Sequence, residues 1–477
     1  MAQSPNILFL LTDQMQARVL EDGHLCQAPN FRKLMARGVR VRNAYSPNPV
    51  CSPARASLMT GRLPHSHGVL QVTHCVDEDQ CQLRADLPHW SQRLEQRGYH
   101  TGYFGKWHVE HSEDPSNFGW RSVGCWPNGD SWCQASGQNG KGKPALVDKH
   151  DIAEPHGYPP HVLYGVTDVP VAQRMMGIAT GLARKFLEEV IDQPKPWCCV
   201  VSIVEPHDPF VCSKASYQRY NLDDIVLPDN VADDLADKPG LYRKAARAFR
   251  HLTDRQKRQA MACYYGLISE IDEQFGTLLD LLEKRGKLDD TVIVLTSDHG
   301  ELLGAHGLFM KNTGAFEEVY GIPMVVAGPG IARGKTVDAR VGLHDLCPTL
   351  CELAGADPID TRGESRSFAP LLRDPAGEAA SFQDGYAEYF GTRYWLTQRV
   401  FWDGSWKLVF NGFDEDELYD LASDPGERRN LARDPAHAAR YTQMMAKVWA
   451  RMRQVNDRPL LDAKYLALRY AVVGPDH

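Results

Sequence analysis

The sequence predicts an α/β protein. A large, mostly parallel sheet sandwiched by helices occupies residues 1–372, and a small C-terminal antiparallel sheet with a helix occupies 373–477. Three observations predict this. Short apolar runs bounded by turn residues alternate with amphipathic helical segments to about residue 370, the pattern of repeated strand–helix units. Asp13, Lys106, His207 and Asp298 each follow an apolar run directly, where ligands bind outside the carboxyl ends of strands in open α/β sheets. Beyond residue 370 the pattern becomes alternating aromatic segments broken by Asp403-Gly404 and Ser423-Asp424-Pro425-Gly426, which suits antiparallel strands joined by tight turns.

Taken in order, Asn6–Leu11 is a compact apolar strand that Thr12-Asp13-Gln14 ends. Ala28-Pro29-Asn30 opens a helix carrying Phe31, Leu34 and Met35, which stops at Gly38. Leu87–Arg97 reads as a helix closed by Gly98, and Tyr99–Phe104 as a strand running into Gly105-Lys106-Trp107-His108. Pro196–Val204 is a buried strand followed by Glu205, Pro206, His207 and Asp208. Arg255–Arg285 places Leu267, Ile271, Phe275, Leu278 and Leu282 at helical spacing and ends at Gly286. Thr291–Thr296 is a strand leading into Ser297-Asp298-His299-Gly300, and Ile322–Ala327 is another. In the C-terminal part, Arg393–Trp402, Trp406–Phe410 and Glu417–Leu421 read as strands, with a helix over Pro435–Val455. The tail Pro459–His477 is apolar enough to dock on a neighbouring subunit, which would make the protein a homo-oligomer.

With 53 basic against 61 acidic residues and a net charge of −8, the chain argues against a general nucleic-acid or membrane-surface role. A locally basic pocket for an anionic substrate remains open. The opening MAQSPNILFLLTDQ lacks a basic segment, and its short apolar run reads as a strand rather than a signal peptide or membrane anchor. The 12 cysteines include no CxxC pair, against zinc ribbons and thioredoxin-like sites. With no N-x-S/T acceptor and no leader, the expectation is a cytoplasmic protein with mostly free thiols.

Residues 51–62 read CSPARASLMTGR. Cys51 lies between the loop prolines Pro49 and Pro53, with Arg55 four residues on. The residues alone allow a buried structural thiol, a thiolate nucleophile, or the substrate of a modifying enzyme. Asp13-Gln14 and Asp298-His299 can each present adjacent ligands to one cation. Such an oxygen-rich set suits Ca²⁺, Mg²⁺ or Mn²⁺, and the imidazole shifts the balance toward Mn²⁺. The plain alternative is that Asp13 caps a helix and Ser297–Gly300 forms a tight turn.

In PNILFLLTDQ, CSPARASLMTGR, GYFGKWH, EPHDPF, TSDHGELLGAHGLFMK and DELYDLASDPGERRNL, the chain resembles the formylglycine-dependent sulfatases of the alkaline-phosphatase superfamily over nearly its full length. The resemblance implies that a formylglycine-generating or equivalent maturation enzyme oxidises Cys51 to an aldehyde. It implies one divalent metal ion, Ca²⁺ before Mn²⁺ or Mg²⁺, held by Asp13, Gln14, Asp298, His299 and the modified Cys51. Arg55 would hold the aldehyde hydrate near the metal, and Lys106 and His108 would contact the nucleophile and the sulfate. His207 and Lys311 would face the leaving-group oxygen. Many members have Asp and Asn where this chain has Gln14 and His299, a departure similar to the choline-sulfatase and phosphonate monoester hydrolase branch.

The implied activity is hydrolysis of a small anionic sulfate monoester (aryl, alkyl or carbohydrate) through a covalent sulfo-enzyme. Phosphonate monoester or phosphodiester hydrolysis at the same site is the alternative. The segment Asn117–Val169 is too long for an ordinary connection and reads as a lid or substrate-binding insertion. Its Trp120, Trp126 and Trp132 either line a pocket or anchor the insertion to the core. Of His65, His67 and His74, near the nucleophile segment, at least one is expected to reach the pocket.

Overall fold

The computed structural model describes residues 4–112, 114–126, 146–152, 157–158, 161–311, 314–392, 394–461 and 470–476. The strands, in chain order, are β1 Asn6–Thr12, β2 Gly38–Tyr45, β3 His100–Lys106, β4 Ser122–Trp126, β5 Leu146–Ile152, β6 His161–Thr167, β7 Trp197–Ser202 and β8 Phe210–Ser213. They continue with β9 Thr291–Ser297, β10 Met324–Ala327, β11 Lys335–Gly342, β12 Asp384–Tyr389, β13 Gln398–Asp403, β14 Trp406–Asn411 and β15 Glu417–Asp420. Eight of them form the main sheet in the order β11-β2-β10-β9-β1-β7-β3-β4.

The α/β class stands, with a mixed sheet. The apolar run at Ile322–Ala327 yields only the short β10, which runs antiparallel to β2 and β9, while the other neighbours are parallel. Three main-sheet strands, β2, β4 and β11, escaped the sequence reading, as did β12 at one edge of the C-terminal sheet. The helix read at Leu87–Arg97 is confined to Trp90–Gln96, where the Gln92 side chain accepts from the His89 N–H at 2.9 Å and fixes the start. The strand read at Arg393–Trp402 begins only at Gln398. Before it, the Gln71 side chain donates to the carbonyls of Phe390 and Tyr394, tying that stretch into a loop.

Alternation along β1 divides the interior. Leu8 and Leu10 point to one face, where Leu267, Ile271, Phe275, Leu278 and Leu282 of helix Asp254–Lys284 cover them. Ile7, Phe9 and Leu11 point to the other, beneath helices Cys51–Thr60, Trp90–Gln96 and Leu346–Ala354. Each of these apolar side chains contributes roughly 1.5–3 kcal/mol on burial, so a central strand buried on both faces is held in fixed register. The helix Asp254–Lys284 starts with a reciprocal cap between Thr253 and Gln256. No described helix is long and apolar enough to cross a membrane.

Part of the long insertion builds sheet. β4 extends the edge of the main sheet, while β5 and β6 join β8 in a separate three-stranded sheet. Its remaining tryptophan-rich stretch, with Trp132, lies outside the described residues, as do residues 462–469 of the tail read as a docking segment. The described tail residues Leu460, Leu461, Ala471 and Val473 pack on the chain's own C-terminal core, where Trp449 Nε1 donates to the Val473 carbonyl at 2.7 Å.

The C-terminal four-stranded antiparallel sheet, β12-β13-β14-β15, packs Leu408, Phe410 and Leu418 against Met444, Met445, Val448 and Met452 of helix Ala438–Val455. Three groups lock this part to the segment after the nucleophile helix. The Glu388 carboxylate accepts from the His65 backbone N–H at 3.0 Å and from His65 Nδ1 at 2.6 Å. His65 Nε2 lies 3.0 Å from the Val455 carbonyl, so both ring nitrogens face acceptors and the imidazolium is favoured. Burial opposes that charge, but Glu388 outweighs it and lifts the pKa from 6.5 to about 9. A raised histidine pKa stabilises the fold fully below pH 6.5, and the contribution is lost as pH rises through 9. The wild-type Tm should therefore fall, relative to that of His65→Gln, between pH 6.5 and 9; parallel Tm–pH curves for the two proteins would refute the clamp.

Candidate active site

Register brings the chemistry together. Thr12 pairs with Ser297, Leu11 with Ser202 and Gly105 with Ser202, so Asp13, Lys106, Ser202 and Asp298 emerge side by side at one edge. Gly105 makes the closest approach: it has φ 113°, and a Cβ there would lie 1.8 Å from the Ser202 carbonyl. Only glycine fits. Gln14 holds a left-handed φ of 69°, a conformation that costs a non-glycine residue roughly 1–3 kcal/mol. It is enforced by the Tyr264 hydroxyl, which donates to the Gln14 carbonyl at 2.7 Å, and by Asp298 Oδ1, which accepts the Gln14 N–H at 3.2 Å.

Cys51 is the first residue of a ten-residue helix whose every residue is buried and which Gly61 ends in the left-handed region. Pro53 is tolerated because first-turn N–H groups have no intrahelical partner. The Cys51 Sγ lies 3.6 Å from Asp13 Oδ1, 3.3 Å from His299 Nε2 and 2.9 Å from Lys311 Nζ. Ligand atoms of Asp13, Cys51, Asp298 and His299 all fall within 4.8 Å of one another. His299 Nδ1 is 3.0 Å from the Gly300 carbonyl, so that nitrogen donates there and Nε2 is the one that faces the cluster.

The Gln14 amide completes the set. Its nitrogen donates to two carboxylates, Glu301 at 2.6 Å and Asp208 at 3.0 Å, which fixes the amide orientation. Its Oε1 is buried without a hydrogen-bond partner. Leaving such an acceptor bare costs about 1–3 kcal/mol, and a cation would satisfy it. Two carboxylates, an amide oxygen and an imidazole nitrogen suit a divalent metal ion.

Arg55, fully buried, lies beneath the carboxylates. Its Nε donates to Asp298 at 2.7 Å, and its terminal nitrogens donate to Asp13, Ser202 Oγ and the Lys106 carbonyl. Lys106 Nζ donates to Asp13 Oδ2. Burial opposes ionisation of Asp13, yet Lys106, Lys311 and His207 outweigh it and hold the carboxyl well below the usual range. At Cys51 burial and Asp13 disfavour the thiolate, but Lys106, Lys311 and His299 prevail and depress the pKa well below that of an ordinary thiol. Burial and Lys106 push His108 down to about 3, keeping it neutral. His207, opposed by burial and Lys311, is raised by Asp208 and Asp13. Its Nε2 lies 2.7 Å from Lys311 Nζ.

The structure thus gathers every residue singled out in sequence: Asp13, Gln14, Cys51, Arg55, Lys106, His108, His207, Asp298, His299 and Lys311. Arg55 spends its nitrogens on the two carboxylates, the Ser202 hydroxyl and the Lys106 carbonyl. Of the three histidines near the nucleophile segment, His74 reaches the site, 3.0 Å from His108; His67 is buried against Ser57 and His65 against Glu388. Trp120 is an anchor, fully buried edge-on to Trp90 and Tyr103.

Sequence reasoning missed Glu301, although it sits three residues past Asp298 within a motif already singled out. Its carboxylate accepts from Gln14, from the Leu303 N–H at 2.9 Å and from the Met310 N–H at 2.6 Å. It therefore links the Gln14 side chain to the backbone that delivers Lys311. A cavity of about 1330 Å³ opens above Cys51, Lys106, His108, His207 and Lys311.

Comparison with known proteins identifies the family. The chain is 29% identical over 452 residues to the choline-sulfatase of Rhizobium meliloti, covering 90% of this chain and 83% of that protein. It is 29% identical over 492 residues to the multifunctional alkaline phosphatase superfamily protein PehA of Trinickia caryophylli, covering 91% and 92%. Among solved structures, the phosphonate monoester hydrolase of Silicibacter pomeroyi superposes with a TM-score of 0.79 at 24% identity, covering 96% of each chain; this likeness speaks to the fold. The C-terminal model of N-sulphoglucosamine sulphohydrolase matches residues 304–457. The sulfatase family model matches residues 5–356, and the chain belongs to the sulfatase family of the alkaline-phosphatase superfamily.

Proposed function

We propose that this hydrolase cleaves sulfate monoesters through a formylglycine made from Cys51 by a maturation enzyme. One observation carries the reading: the Cys51 Sγ occupies the point where the metal-ligand cluster, Lys311 and the two histidines converge. The sulfur stands in for the paired hydroxyls of an aldehyde hydrate. A bound divalent ion would offset negative charge on the sulfuryl oxygens and acidify the attacking hydroxyl. We take it to be Ca²⁺, which tolerates an irregular oxygen-rich shell better than Mg²⁺ does, with Mn²⁺ favoured only by the single imidazole.

The chain's own residues account for the remaining steps. One hydroxyl of residue 51, acidified so that it has given its proton to solvent, attacks sulfur in line; the new oxygen–sulfur bond forms as the bond from sulfur to the ester oxygen breaks. Lys106 stabilises charge at the nucleophile. His207 or Lys311 supplies the proton that the departing oxygen takes up. The sulfuryl group is then carried on residue 51. His108, kept neutral by burial and Lys106, is able to take the proton of the second hydroxyl. The carbonyl reforms, the bond from carbon to the sulfate oxygen breaks, inorganic sulfate leaves, and water rehydrates the aldehyde. His74, against His108, can receive the proton onward.

Hydrolysis of phosphonate monoesters or phosphodiesters is the second reading, favoured by Gln14 and His299 in the metal set. The Lys106–His108 pair argues for sulfate, and sulfate and phosphonate esters of one phenol decide between them. Faster phosphonate turnover would reverse the assignment.

Mass spectrometry of the tryptic peptide containing residue 51 should show conversion of the thiol side chain to an aldehyde in active preparations. Cys51→Ala should abolish turnover while the chain still binds metal; activity in a wholly unmodified preparation would overturn the mechanism. Glu301→Ala should weaken metal binding about 10–100-fold, because Gln14 loses its orienting acceptor, and excess metal should restore part of kcat. Metal affinity equal to wild type in a calorimetric titration would show that Glu301 serves only the loop.

A further inference from the structure

The cavity has a floor and a wall, and the wall has its own chemistry. Leu241, Lys244, Ala245 and Ala248 fall at helical spacing along and just beyond helix Gly240–Ala246, and all four line the cavity with Phe249 and Phe309. The intervening Tyr242 and Ala246 turn into the core. Leu241, Ala245 and Ala248 are partly buried against the core and present their remaining apolar surface to the cavity. Phe249 and Phe309 meet at 5.7 Å between ring centres, inclined at 50°.

The charge on the lining is one-sided. Among the described residues it holds three lysines and five histidines against one carboxylate, Asp208. That carboxylate is already committed to Gln14, His161 and His207. On the helix, Arg243 spends its guanidinium on the carbonyls of Leu235, Ala236 and Lys238. Lys244 is exposed and is held in no ion pair among the described residues. It is the fixed cation of the wall, beyond the lysines that serve the floor.

Resting on the sulfate-ester reading above, we infer that the alcohol or phenol released is bulky and largely apolar, carries a second anionic group read by Lys244, and is not a quaternary ammonium. The apolar lining, Leu241, Ala245 and Ala248 with Phe249 and Phe309, gives an aryl or similarly apolar group its surface. Cation–π attraction to two rings that are almost wholly buried would serve an ammonium only weakly, against repulsion from Lys244.

The test uses the full chain carrying formylglycine and its metal. It compares phenyl sulfate with para-carboxyphenyl sulfate, and choline sulfate with its uncharged carbon isostere, dimethylbutyl sulfate. Lys244→Glu should lower the preference for the carboxylated over the plain phenyl ester by about threefold or more, expressed in KM, with the difference shrinking at high salt. Wild-type enzyme should turn over dimethylbutyl sulfate faster than choline sulfate, and Lys244→Glu should narrow that gap. An unchanged carboxyphenyl-to-phenyl ratio, or choline sulfate matching its isostere in wild type, would overturn the inference. If formylglycine-bearing enzyme hydrolyses none of the four, the sulfatase reading fails instead. Calorimetric binding of the same four esters to metal-loaded Cys51→Ala, with and without Lys244→Glu, still reads the wall without turnover.

Discussion

The Arg55 guanidinium is the fixed point of the catalytic edge. It is wholly buried and donates to Asp298, Asp13, Ser202 and the Lys106 carbonyl, one partner from the end of each of β9, β1, β7 and β3. Two carboxylates packed this closely repel one another, and burial makes their ionisation worse; Asp298 is pushed above the ordinary carboxylate range by burial and by Asp13. Arg55 and Lys106 supply the charge that lets both face one cluster. Deleting one partner of such a buried set costs about 3–5 kcal/mol, because the others are left uncompensated. The register of four strands and the geometry of the metal ligands are therefore one constraint, and the glycine at 105 exists to let β3 close on β7 within it.

How much of this was legible depends on how each residue is held. The strands that carry chemistry were readable because each is an apolar run ended by a polar residue, as in Leu11-Thr12-Asp13 or Thr296-Ser297-Asp298. β2 was hidden because Arg40 and Arg42 interrupt its apolar pattern; Arg40 is buried only by pairing with Glu21. The direction of β10 is set by what it lies between, and nothing in Met324–Ala327 encodes that. At the site, the direct participants sit in recognisable motifs. Glu301 and Asp208 lie in those same motifs, but their role appears only when the Gln14 amide is seen to point at both. His74 belongs to a separate loop, and only the fold brings it to His108. Trp120 was legible only as a choice between pocket and anchor, and the fold decides it: the ring completes the core beside Trp90.

The division between floor and wall has a physical origin. The floor is made by strand ends, whose spacing is fixed by hydrogen-bonded register, and on the proposed reading it meets a tetrahedral anion that differs little between a sulfate ester and a phosphonate ester. Electrostatic preorganisation of this kind stabilises either transition state, so it sets the reaction class and discriminates poorly within it. Discrimination comes from contacts with the part of the substrate that leaves. Those contacts are offered by Leu241, Lys244 and Phe249, on a helix and turn outside the parallel sheet, and by Thr392 and Tyr394 from the C-terminal part. These elements can change without disturbing Arg55 or the strands it ties. A chain can thus retain the motifs of its family in full while its wall selects an alcohol that no motif specifies.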